Sequence, residues 1–119
     1  MKSFRDLKVW EKAHQLTLDI YRVTGNFPRR EQYGLTNQLR RSSSSITANL
    51  AEGCTRGSDA DFGRFVQIAM GSAGETEYHL LLCHDLEFLE DKGYEQLHTQ
   101  IIEVKRMLSG LLNRLRADR

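Results

Sequence analysis

Apolar side chains recur along this chain at helical spacing, and no stretch sustains the alternation of a half-buried strand. In the first segment Val9, Ala13, Leu16, Ile20, Val23 and Phe27 follow one another at intervals of 4, 3, 4, 3 and 4, the seam of a bundle helix. Asp6 suits the positive end of the helix dipole, and Gly25 followed by Pro28 predicts the end of the helix. Pro28 to Gly34 reads as a connector. A second helix is predicted from about Leu35 to Ala51 on Leu35, Leu39, Ile46 and Leu50, with a gap where Ser42 and Ser43 fall. Ser42 to Ser45 are poor helix formers because their hydroxyls compete for backbone groups, but their small size lets another helix come close. Gly53, Gly57 and Ser58 mark the next connection, with Ser58 as N-cap and Asp61 three residues on.

The third segment is predicted from about Asp59 to Glu90, a rod of about 48 Å at about 1.5 Å per residue. Phe62, Phe65 or Val66, Ala69, Ala73, Leu80 and Cys83 form one stripe. Ile68, Met70, Leu81, Leu82, Leu86, Phe88 and Leu89 spread apolar surface around much of the remaining circumference. A helix that apolar buries more than one face, and in a chain of this size the second face most simply meets another subunit. Gly71 and Gly74 lie inside it, each costing about 1 kcal/mol relative to alanine, which close packing or a bend would offset. Asp91-Lys92-Gly93 reads as the next turn. The fourth segment repeats the 4, 3, 4, 3, 4 spacing in Leu97, Ile101, Val104, Leu108, Leu111 and Leu115, widened by Ile102, Met107 and Leu112. The expected fold is all-α, an antiparallel up-down-up-down four-helix bundle in which residues 1–119 form a single domain.

Composition narrows the function. At 119 residues, 39% hydrophobic and 28% charged, the chain has enough apolar content for a core and too much charge for a membrane protein. The opening MKSFRDLKVW has no apolar centre and does not read as a signal peptide, so a cytoplasmic location is the expectation. The net charge of +1 hides a segregation: residues 1–41 carry nine basic and four acidic side chains, residues 42–100 three and ten, and residues 101–119 five and two. Such asymmetry suits a basic face for nucleic acid, or complementary surfaces that pair between elements or subunits.

Enzymatic motifs are sparse. The one Glu-x-x-His, Glu95 to His98, lacks the second copy that a di-iron bundle needs. Glu75, His79 and Cys83 share one helix face and could bind zinc with His84 or Cys54, but zinc sites draw ligands from more than one element. No G-x-S-x-G elbow surrounds the serines and no phosphate-binding glycine loop exists, although a composite Ser-His-Asp site from different helices stays open. No catalytic residue, metal site or cofactor is assigned. Basic residues offer more: Arg29, Arg30, Arg40 and Arg41 cluster around the second helix start, and Lys105, Arg106, Arg114, Arg116 and Arg119 lie along the last helix. These suit phosphates, with Tyr21 or Tyr33 as stacking groups and recognition of backbone or shape. The competing reading has the arginines pairing with the acidic third helix across subunits.

An ordered set of residues then carries a family likeness: Phe4-Arg5-Asp6-Leu7 with Val9-Trp10; Phe27-Pro28, Glu31, Tyr33-Gly34-Leu35, Gln38 and Arg40-Arg41; Ser45-Ile46, Asn49 and Ala51-Glu52-Gly53; Phe62, Phe65, Ala69, Gly71-Ser72 and Glu75. The chain resembles the small bacterial four-helix-bundle family that includes proteins encoded in intervening sequences of 23S rRNA genes. Thr47 stands where many relatives have proline after the Ser-Ile pair, which removes the reason for a kink there. The resemblance implies a ring-like homopentamer. It also implies kinship with the accessory protein of diversity-generating retroelements, a basic barrel that binds nucleic acid and a reverse transcriptase. It supplies no catalytic residues; Asn49, Glu52 and Glu75, with Arg40 and Arg41, are implied assembly or ligand contacts. The combined expectation is a non-enzymatic, homo-oligomeric cytoplasmic scaffold, partnered by itself and by RNA or a nucleic-acid-processing protein, with no membrane contact. The alternative is a small-molecule or metal-dependent enzyme with its site between helices or subunits.

Overall fold

The computed structural model describes residues 3–31 and 34–117; Tyr33 and Arg119, named above as stacking group and phosphate contact, lie outside them. Four helices carry the chain: α1 (Lys8–Thr24), α2 (Leu35–Gly53), α3 (Asp59–Asp85) and α4 (Asp91–Ala117). Short 3-10 turns, Phe4–Asp6 and Arg29–Glu31, precede α1 and α2. The described residues contain no strand. The fold is an all-α four-helix bundle, in which α1 packs on α2 and α4, and α3 packs on the same two helices.

The core follows the apolar seams. Val9, Ala13, Leu16 and Ile20 of α1 are buried, and so are all six seam residues of α4. Val23 and Phe27 only border the core; buried Thr17 and Thr24 of α1 donate to the carbonyls of Ala13 and Ile20 at 2.9 and 2.7 Å instead. In α2 the apolar gap is closed by the serines themselves, since Ser42 and Ser43 are buried. Ser42, Ser43 and Ser44 each donate to the carbonyl three residues back, so the hydroxyls that could have competed with the helix are satisfied on its own backbone. α2 runs on to Gly53, where α3 comes so close that no side chain fits. A Cβ on Gly53 would sit 2.8 Å from Phe62 Cδ1 and 2.9 Å from Phe65 Cβ of α3. The Ser58 cap holds, its Oγ accepting from the Asp61 N–H at 3.2 Å.

The α3–α4 turn corrects the sequence reading. α3 ends at Asp85, five residues early, and Asp91-Lys92-Gly93 is the first turn of α4 rather than a stop. α3 and α4 are equally long, with 27 residues each. The stop is made by Glu87, at φ 67°. The Phe88 N–H donates to Cys83 O and the Glu87 N–H to His84 O, both at 2.9 Å, the double closure of a Schellman motif. Phe88 is thereby turned inward, 5.6 Å from the ring of Phe27, and Leu89 is buried.

Candidate functional site

The middle of the α2–α3 contact is polar, although it lies inside an apolar bundle. Ser42, Ser45 and Asn49 recur on α2 at spacings of 3 and 4, and Ser72, Thr76 and His79 on α3 at 4 and 3. Each set therefore lies along one face of its helix. Thr76 Oγ1 is 3.0 Å from Ser42 Oγ, which lies 3.3 Å from His79 Nδ1. One step along, Ser45 Oγ and Ser72 Oγ are 2.9 Å apart, and Asn49 Nδ2 donates to Ser45 O and Oγ at 2.8 and 3.0 Å. Burial disfavours the charged imidazolium, so the pKa of His79 is lowered, with the Glu75 carboxylate one turn earlier opposing the shift.

This seam opens into a groove of about 360 Å³. Ser42, Ser45, Ser72 and His79 form part of its lining, and Gln38, Arg41 and Glu75 complete it. Neither Arg41 nor Glu75 has an ion-pair partner among the described residues. The family resemblance grouped Arg41 and Glu75 with Arg40, Asn49 and Glu52 as assembly or ligand contacts; the structure brings Arg41 and Glu75 to one groove. The sequence reading missed Gln38, Ser45, Ser72 and Thr76, whose signal was a polar stripe with helical spacing on each helix.

The other named residues divide. Arg40 is not presented to phosphates: Nε donates to Thr24 Oγ1 at 2.8 Å and Nη2 to Tyr21 O at 3.3 Å, with the guanidinium 4.6 Å from the centre of the Tyr21 ring. It ties α2 to the last turn of α1 and engages the aromatic ring expected to stack on a base. Lys105 pairs with Glu77 at 2.7 Å, so this acidic partner on α3 is met within the protomer. Glu52 pairs locally with Arg56 at 3.3 Å. Arg29, Arg30, Arg41 and Arg106 are exposed. Arg106 shares a cleft of about 530 Å³ with Lys8 and Arg114, whereas Arg29 lines a different one with Arg40.

The proposed zinc face does not assemble. Glu75 is exposed, His79 faces Ser42, and Cys83 is sealed in the core, its thiol pushed up to about 12 by burial and, secondarily, by the charge of Glu31. Burial also raises the pKa of Cys54. His84 turns away to Asp91, 2.7 Å distant, and stacks on Tyr94 at 4.5 Å. Among the described residues no three His, Cys, Asp or Glu side chains converge on a metal position.

The sequence profile of the 23S rRNA-intervening sequence protein family matches residues 5–110. The chain belongs to that family. The intervening-sequence bundle is also similar to a solved structure from Bacteroides thetaiotaomicron, described as a protein with unknown function from the S23 ribosomal protein family. The two share 27% identity over 88% of this chain and 95% of the other, with a TM-score of 0.81. No curated protein matches the chain significantly. No described helix of this intervening-sequence family member is long and apolar enough to cross a membrane.

Proposed function

We propose that the protein is a non-enzymatic cytoplasmic scaffold whose up-down-up-down protomers assemble into a ring-like homopentamer. The observation that carries this reading is the outward face of α3 with its C-terminal cap, Leu86. Ile68, Tyr78, Leu81 and Leu86 are 44%, 57%, 41% and 51% exposed in the protomer. Gly71 and Gly74 lie beside them, and a Cβ on either would meet nothing within 4 Å. The two glycines have no packing use inside one chain, but they would let a second backbone approach an apolar helix face closely. An antiparallel course is supported by the pairings Ser42–His79 and Ser45–Ser72 between α2 and α3. Lys105–Glu77 and His84–Asp91 support the same course between α3 and α4. The non-enzymatic reading is favoured by Ser42, which is only 5% exposed and already hydrogen-bonded to Leu39, Thr76 and His79. Replacing Ile68 and Tyr78 together by glutamate should leave helical circular dichroism unchanged. In light scattering the variant should appear at the protomer mass of 13.7 kDa. A wild-type assembly that survives both changes refutes the assignment of this face.

RNA, or a protein that handles it, is proposed as the second partner, through exposed Arg29, Arg30, Arg41 and Arg106. Each phosphate contact contributes about 0.7–0.9 to the slope of log affinity against log salt. The triple change of Arg29, Arg30 and Arg106 to alanine should therefore flatten that slope by about 2–3 in fluorescence anisotropy on a 23S rRNA fragment. An unaltered slope, or no binding by the wild type, removes this part of the reading.

A further inference from the structure

We propose that the groove between α2 and α3 binds a small zwitterion, a molecule of amino-acid or dipeptide size carrying one carboxylate and one ammonium group. Glu75 lies on α3 four residues after Gly71 and three before Tyr78, so this reading requires that the groove stay open beside the proposed subunit contact.

Three observations converge on it. The first is electrostatic: Arg41 and Glu75 line the same groove, are exposed, and pair neither with each other nor with another described residue. A simple anion drawn to Arg41 meets the charge of Glu75, and a simple cation meets the reverse. A molecule bearing both charges satisfies both ends. The second is His79, nine-tenths buried at the groove wall with Nδ1 committed to Ser42. Its Nε2 has no hydrogen-bond partner among the described residues and is not sealed from solvent. When Ser42 donates to Leu39 O, 3.2 Å away, Nδ1–H donates to Ser42 and Nε2 becomes an acceptor. Because burial lowers its pKa, the ring is the neutral base that such an acceptor requires. The third is the groove itself: about 360 Å³ falls in the range of small-molecule sites, and its lining is entirely polar side chains. The ammonium would take Glu75 and His79 Nε2, and the carboxylate would take Arg41 and the Gln38 amide. The Ser45 and Ser72 hydroxyls lie between as donors or acceptors.

The test is a two-dimensional NMR titration of the full-length protein with each of the twenty L-amino acids and with glycylglycine. Acetate and ethylammonium serve as single-charge controls. At least one zwitterion should produce saturable shifts at the Ser45 and Ser72 amides and the His79 ring nitrogens. Both controls should bind at least about tenfold more weakly, the effect of losing one charge-assisted hydrogen bond. Arg41→Gln and Glu75→Gln lie on the surface and should melt as the wild type does, yet each should weaken binding about tenfold. The proposal is overturned if no zwitterion gives saturable shifts by about 10 mM, a concentration beyond which specific affinity is negligible. It is equally overturned if a control binds as tightly as the best zwitterion, or if either variant retains full affinity.

Discussion

Arg40 illustrates how a side chain suited to one role is taken by another. Guanidinium is the natural phosphate ligand, and a pair of adjacent arginines reads from sequence as an anion site. In the bundle the second of the pair, Arg41, stays exposed, whereas Arg40 lies half-buried and bonds Thr24 and Tyr21. Its planar fork accounts for the arrangement, since one face lies on the Tyr21 ring while two N–H groups reach the last turn of α1. Arg40→Ala should lower stability by about 1–2 kcal/mol, below the full value of a charged hydrogen bond because the group is partly solvated. Arg40→Lys should recover less than half, because a lysine cannot make both bonds and the stack. Urea denaturation of both variants checks this, and an alanine variant as stable as the wild type would return Arg40 to the free basic surface.

α1 and α4 were legible because their apolar seams keep the alternating 4, 3 spacing, and all the seam residues from Leu97 to Leu115 are buried where the pattern put them. The end of α3 was not legible. A glycine normally marks a left-handed closing residue, but here Glu87 adopts φ 67° and Gly93 is an ordinary helical residue. The polar seam was equally hidden, since it exists only when two weakly informative stripes on separate helices meet. His84 at the α3–α4 turn and His79 in the polar seam give the bundle opposing pH dependences. The pKa of His84 is raised above 6.5, chiefly by its hydrogen bond to Asp91. Its contribution is present in full below the unfolded value and is lost as pH rises through the folded one. For His79 burial lowers the pKa below 6.5, so stability falls as pH drops below the unfolded value. Asp91→Asn should therefore destabilise the protein below about pH 6 and have little effect above about pH 8. Thermal melts across that window test the sign, and a deficit that grows toward alkaline pH would be incompatible with it.

Across the whole molecule, the four helices bury their seams in one cluster that extends from Val9 to Leu115. Among the described residues the large apolar side chains left exposed are Ile68, Tyr78 and Leu81 of α3, Leu86 at its C-terminal cap, and Leu18 and Tyr21 of α1. Random exposure would scatter such residues over all four helices, and isolated apolar side chains on a surface need no explanation. The three on α3 and Leu86 at its end, beside two glycines with open space, are what the proposed assembly rests on. A stable interface occupies about 800 Å² per subunit, near a ninth of the protomer's 7154 Å² surface. Native mass spectrometry of the wild-type protein at micromolar concentration addresses this account most directly. It should give an ion series at five times the 13.7 kDa protomer; a spectrum containing the 13.7 kDa species alone would contradict it.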